Sequence, residues 1–289
     1  MNDISIPVKV VGPGSQPNEF DEDELDILQM PSSMDSYDKP ILPEPEDVEH
    51  LTGAKNKLTE VLFQLQNYRN GMSIQPVNLK SLDATNLELV DQVLGEGEVS
   101  IIVSNEVSGY IKVNIQESVL AGVWRIRHLN EQGDTINDEI EVAAIPSLVL
   151  DKTFSTSVIE LDTDDRPIPE GVCNAPPLIA EINDKIKGYK VGDDTHVINL
   201  TLLPQTEEDL LFLNDCLGQG NISILSRGYG NCRISSTATN NLWWVQYYNS
   251  QDKNILNSLE VTQVPEVACA AQEDIDASAI RLLEILEIY

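Results

Sequence analysis

The sequence predicts an α+β protein built from two tandem copies of one α-β-α-β-β-β-β unit, each an antiparallel meander sheet with helices on one face. Two internal matches point to it. Residues 87–102 read LELVDQVLGEGEVSII, and residues 210–225 return as LLFLNDCLGQGNISIL. Downstream, WRIRHLNEQGDTINDEIEVAAIP at 124–146 aligns without a gap on WWVQYYNSQDKNILNSLEVTQVP at 243–265. Each residue of one copy can therefore be tested against its counterpart in the other.

Residues 1–44 read as an acidic, largely disordered tail. Acidic side chains crowd it against Lys9 and Lys39, and low hydrophobicity with one-sided charge cannot offset the entropy of ordering a chain. Within it, Met30, Met34, Tyr37 and Leu42 are spaced by prolines. Proline-fixed extended segments present side chains at low entropic cost, which suits a docking motif. A strap folded on the protein's own core is the alternative.

Residues 45–150 form the first repeat. A helix over 46–70 starts at Pro45 with acidic residues near its positive end, and Gly71 closes it. A strand follows at 75–82. Leu87, Val90 and Leu94 give the next helix its apolar stripe, with Gly95 in the position of a left-handed cap. Strands at 99–104, 110–117, 123–129 and 140–149 complete the meander. Residues 151–173 are a polar linker. The second repeat, 174–289, opens with a helix at 177–187. It mirrors the later strands at 232–237, 242–248 and 259–269, and ends in an acidic amphipathic helix beginning near 273. That helix is expected to pack on the body rather than await a partner.

The formal net charge of −30 opposes binding to phosphate backbones or anionic lipid, so nucleic acid is not an expected partner. No apolar run of about 18 residues is present, so membrane insertion is not expected either. The N-terminus shows no basic segment followed by an apolar one, and the four cysteines form no CxxC pair. Both features favour a reducing cytoplasm.

Candidate chemistry dissolves under comparison of the copies. Cys216 aligns with Val93, Cys232 with Ile111 and Cys269 with Leu150, so each thiol stands where its counterpart is aliphatic. Cys173 has no counterpart and stays unassigned. Gly95, Gly97, Gly218 and Gly220 follow a helix and precede a strand. That order suits structural turns, whereas phosphate loops run from strand to helix. Glu141 and Glu260 occupy equivalent strand positions before a proline, each expected to hydrogen-bond a turn. No catalytic, cofactor-binding or metal-ligating residue is assigned.

The tryptophan strand is asymmetric. Trp124 matches Trp243 and Ile126 matches Val245 on the inward face, whereas Arg125 matches Trp244 and Leu129 matches Tyr248 on the other. Trp244 and Tyr248 are therefore expected on an outward face as anchors for a protein partner. An interface between the two copies is the alternative.

The blocks Gly95-Glu96-Gly97-Glu98-Val99-Ser100 and Ser118-Val119-Leu120-Ala121-Gly122-Val123-Trp124-Arg125 resemble the HupH/HyaF family of hydrogenase expression proteins. So do Trp243-Trp244-Val245-Gln246-Tyr247-Tyr248 and Val264-Pro265-Glu266-Val267-Ala268-Cys269. The Met30-Pro31 to Pro43-Glu44 segment is similar to that family's leader. The resemblance implies a cytoplasmic, non-enzymatic chaperone for maturation of nickel–iron uptake hydrogenase. Its implied partners are the precursor of the iron–sulfur small subunit and a thioredoxin-like co-chaperone. Two alternatives stand beside it: a metal or cofactor carrier or enzyme acting on the hydrogenase metal site, with Cys216, Cys232 or Cys269 as ligands, and a structural adaptor in the maturation complex.

Overall fold

The first repeat contains α1 (Pro45–Val48), α2 (Thr52–Asn67), β1 (Val77–Asn78), α3 (Ala84–Leu94), β2 (Val99–Ser104), β3 (Lys112–Glu117), β4 (Val123–Leu129), β5 (Thr135–Val142) and α4 (Ser147–Lys152). The second contains α5 (Ala175–Gly188), β6 (His196–Asn199), α6 (Glu207–Leu217), β7 (Gln219–Ser226), β8 (Asn231–Thr237), β9 (Leu242–Tyr248), β10 (Asn254–Val261) and α7 (Gln272–Ile288). This computed structural model describes residues 42–104, 112–154, 157–158, 161, 167–228 and 230–289.

The strands make one 10-stranded sheet in the order β1-β5-β4-β3-β2-β7-β8-β9-β10-β6. The two meanders meet at β2 and β7, which pair antiparallel with Ile101 opposite Ile224. Each of these strands would otherwise be a bare edge, and their union satisfies both rows of backbone donors and acceptors.

Alternation along the strands divides the core. Val123, Ile140 and Val142 face one way and meet Leu58 and Leu65 of α2, Leu89 and Val93 of α3, and Ile275 and Leu282 of α7. On the same side of the second repeat, Leu242 and Leu259 lie beneath Ile179 and Ile182 of α5 and Leu213 of α6. Trp124, Ile126, Trp243 and Val245 face the opposite way, with Ile101, Ile115, Ile224 and Ile234, under Ile145, Val149 and Ala268. The five long helices thus share one face, as the periodicities require.

Several boundaries differ from expectation. The helix expected over 46–70 is two helices, because Leu51 leaves the helical region at φ −83°, ψ 58°. The strand at 75–82 pairs only over Val77–Asn78. Strands expected to reach 149 and 269 stop at Val142 and Val261, ahead of Pro146 and Pro265. Proline has no N–H for the ladder, and the chain turns there into α4 and a short 3-10 helix at Glu266–Ala268. The linker begins inside α4, and its Leu161 is buried in the second repeat's core.

The terminal helix packs on the body, but on the first repeat rather than its own. Ala270 N–H donates to the Ala144 carbonyl at 2.8 Å, and α7 then buries Ile275, Ala279 and Leu282 in the first repeat's core. The chain leaving β5 makes the reciprocal crossing. Phe154 meets Trp243 edge-on at 5.7 Å, and Val158 bridges Thr239. Each repeat therefore sends its C-terminal extension over the other.

Candidate functional site: the middle of the sheet

Between the helices of the two repeats, the helix-bearing face of the central strands carries polar and half-exposed side chains. The register places Arg127, Asn114, Ile102, Ser223, Ser235 and Trp244 in one row across β4, β3, β2, β7, β8 and β9. The adjacent row contains Gln116, Ser100, Leu225, Arg233 and Gln246. Ile102, at the centre, is 38% exposed, whereas its neighbours Ile101 and Val103 on the other face are each 1% exposed. A strip of sheet is thus open to contact at the junction of the copies.

The two ends of the strip are built differently. In the first repeat Arg125 is buried and paired twice: its guanidinium grips Asp138 through Nε and Nη2, and Nη1 donates to Asp91 of α3 at 2.8 Å. Burial opposes its charge, yet the two carboxylates hold its pKa above the ordinary arginine value. Arg127 reaches the same Asp91 at 3.3 Å. The alignment replaces all four members in the second repeat: Arg125 by Trp244, Asp138 by Asn257, Asp91 by Asn214 and Arg127 by Gln246. Trp244 Nε1–H donates to Asn257 Oδ1 at 2.5 Å, reproducing the first repeat's strand-to-strand pair without charge.

The expected geometry of the aromatics therefore needs correction. Trp244 lies on the helix-bearing face, half-buried against the core beneath α5 and α6, with its N–H committed. Tyr248 is half-buried, its hydroxyl bonded to Gln246 and its ring 5.7 Å from the Arg233 guanidinium. They form one wall of the strip rather than anchors on a bare outer face. Met30, Met34 and Tyr37 lie outside the described residues, and Leu42 is 37% exposed.

The turn glycines have defined duties. A Cβ on Gly97 would sit 2.2 Å from the Ser118 carbonyl oxygen, and one on Gly220 would sit 2.2 Å from Ser236 Oγ. Gly95 and Gly218 end α3 and α6 at φ 55° and 64°. Two of the thiols share one core, where Cys232 is buried and Cys269 packs against the same cluster. Burial pushes Cys232 up to about 12 and Cys269 up to about 11, so neither is a thiolate at neutral pH. Cys216 packs against the second repeat's helix core, and Cys173 is exposed. Among the described residues no group of three or more histidine, cysteine or acidic side chains is placed to hold a metal.

The paired glutamates are only half as expected. Glu141 accepts the Ser147 N–H at 2.8 Å and so caps α4. Among the described residues, Glu260 has only a long bond from the Ser258 hydroxyl, at 3.5 Å. Desolvation raises the pKa of both carboxyls.

Two tyrosines escaped the sequence reading. Tyr68 and Tyr189 follow α2 and α5, and their hydroxyls accept the N–H of Ala144 and Gln263 at 2.9 and 2.8 Å. Each locks a helix end to the turn after the last meander strand. The shared Tyr-x-x-Gly at 68–71 and 189–192 is the signal that would have found them.

Comparison with known proteins follows the same doubling. The model of the HupH hydrogenase expression protein C-terminal conserved region matches residues 51–155 and again 172–289. The chain belongs to the HupH family. It is 45% identical over 287 residues to the hydrogenase expression/formation protein HoxQ of Cupriavidus necator, covering 99% of this chain and 98% of the relative. HupH of Rhodobacter capsulatus is 44% identical over the same shares of both chains. The hydrogenase-1 operon protein HyaF of Escherichia coli is 30% identical over 96% of this chain and 95% of its own. The two stretches matched by the HupH model correspond to the two meanders with their helices.

Proposed function

We propose that this HupH-family chain is a non-enzymatic accessory chaperone in the maturation of nickel–iron uptake hydrogenase. It works in the cytoplasm, holding the precursor of the iron–sulfur small subunit before export and pairing with the large subunit, together with a thioredoxin-like co-chaperone. The observation that carries this reading is identity of 45% across nearly the whole length of a hydrogenase expression/formation protein. The strip over the β2–β7 junction supports it, because its rows mix exposed apolar and hydrogen-bonding side chains suited to an extended client segment. Trp244 and Tyr248 would line one side of that client, and Met30, Met34, Tyr37 and Leu42 would add a second contact.

Pull-down of the small-subunit precursor tests the proposal. Wild type should retain it. Trp244→Ala combined with Tyr248→Ala should weaken retention about tenfold or more, as expected for truncating interface anchors. Ile102→Asp, at an exposed position, gives the same readout without touching the helix core. A precursor that ignores the wild-type protein overturns the chaperone reading, and stoichiometric iron or nickel in anaerobically purified protein would replace it with a metal carrier.

A further inference from the structure

The two copies treat one carboxylate differently. Glu141 and Glu260 occupy the same position in β5 and β10, and Pro146 aligns with Pro265. In the first copy the following residue, Ser147, supplies its backbone N–H to Glu141. In the second copy that residue is Glu266, a second carboxylate, and Glu260 is left with the long Ser258 contact. The carboxylate has been kept, but among the described residues the Glu266 N–H makes no hydrogen bond to it, and the hydroxyl beside Glu141 is replaced by a second carboxylate. A cleft of about 430 Å³ opens there, lined by Thr195, Val197, Tyr247, Glu260, Glu266 and Val267.

The cleft adjoins the end of the sheet. Among the described strands β6 is terminal, paired with β10 on one side only. Val197 of β6 stands opposite Glu260 in register and is 52% exposed. Opposed residues on neighbouring strands point to the same face. A strand added outside β6 would therefore set its residue opposite Val197 toward the cleft. The other end of the sheet offers no equivalent: β1 has two residues, and Val77 is fully buried.

We infer that the β6 edge is a peptide-docking site that takes an extended segment of another protein by strand addition, with a basic side chain seated between Glu260 and Glu266. Charge selects this occupant. The charged residues lining the cleft are both carboxylates, and the chain carries a net charge of −30. An acidic segment would be repelled, and an apolar one would leave Glu260 with nothing beyond the long Ser258 contact. Arginine suits the cleft best, because its planar fork can serve a carboxylate while its face lies on the Tyr247 ring. Backbone pairing supplies affinity, and the cleft supplies specificity for one residue type.

Fluorescence anisotropy with a labelled peptide of sequence Thr-Val-Thr-Arg-Thr-Val tests the inference on the full-length protein. A twin with methionine in place of arginine is the control. The arginine peptide should bind wild type about tenfold more tightly than its twin, a margin that Glu260→Gln with Glu266→Gln should abolish. Glu266→Gln alone, at an exposed position, should reduce the margin and keeps the test intact if the double variant misfolds. Amide hydrogen exchange at Val197 should slow on binding. Equal binding of the two peptides, or unchanged exchange in β6, overturns the inference. It stands apart from client recognition at the middle of the sheet: Ile102→Asp should lose the client yet keep the peptide.

Discussion

Glu117 shows how one side chain couples the fold to pH. It is the last residue of β3, 8% exposed, and accepts the Gly122 N–H at 3.2 Å. Burial, with Glu98 and Asp274 nearby, pushes its pKa up from 4.5 to about 7 against the help of that donor. Because the folded-state value is the higher one, the native protein binds the extra proton between these two values. Stability contributed through this group is thus greatest at acid pH and falls as pH rises toward 7. Glu117→Gln keeps the acceptor and removes the charge. At pH 8 it should be more stable than wild type by on the order of 3 kcal/mol, a gain that vanishes below about pH 4.5. Urea unfolding of both proteins across pH 4 to 8 provides the check, and parallel curves would refute the assignment.

At the scale of elements, one position in each copy fastens two helices together. Asn86 and Asp209 are aligned, three residues after the N-caps Asp83 and Thr206. Asn86 Oδ1 accepts the Ala54 N–H of α2 at 2.8 Å. Asp209 does more: it accepts the N–H groups of Cys173, Asn174 and Ala175 at 2.8, 2.8 and 2.9 Å, joining the linker and the start of α5 to α6. Desolvation alone would raise its pKa, but the amide donors hold the carboxyl well below the usual range. Asp209→Ala strips those donors of their acceptor and should cost roughly 3 kcal/mol, with α5 exchanging its amides before the sheet does. Asn86→Ala should cost less, about 1 kcal/mol, since a single amide loses its partner. Thermal unfolding with hydrogen exchange would read both effects, and equal losses would argue against the extra duty given to Asp209.

The whole molecule is held by exchange between its halves. The α7 helix belongs to the second repeat by sequence but completes the first repeat's core, where Gly122 gives it room: a Cβ there would lie 2.5 Å from Ile275 Cγ1. Tyr289, just beyond it, returns to the N-terminal end of the described chain, its hydroxyl donating to the Pro43 carbonyl at 3.0 Å. Removing residues 270–289 should therefore destabilise the first repeat rather than the second. Losing Ile275, Ala279 and Leu282 from a packed core is worth several kcal/mol, on the scale of about 2–5 for one large aliphatic side chain. Hydrogen exchange should show α2 and β5 losing protection first, while α5 and β10 keep theirs. Loss confined to the second repeat would contradict the crossing.

The sequence by itself determined the doubling, the order of the long helices and the meander strands, the helix-then-glycine turns and the inward pairing of Trp124 with Trp243. These are local properties: a period of two or of 3.6, a capping residue, a glycine where a side chain has no room, each readable within a few positions and checked by its counterpart. Only the tertiary structure decided that β2 pairs with β7, that α7 crosses to the first repeat, that Trp244 replaces a buried ion pair, and that Glu260 lacks the donor Glu141 enjoys. Those facts depend on which edge meets which edge, and on contacts such as Lys55 Nζ to the Tyr289 carbonyl, 2.6 Å apart across 234 positions. Two copies with the same local pattern are free to differ in such pairings, because backbone periodicity sets where a side chain points and long-range packing alone sets what it meets there.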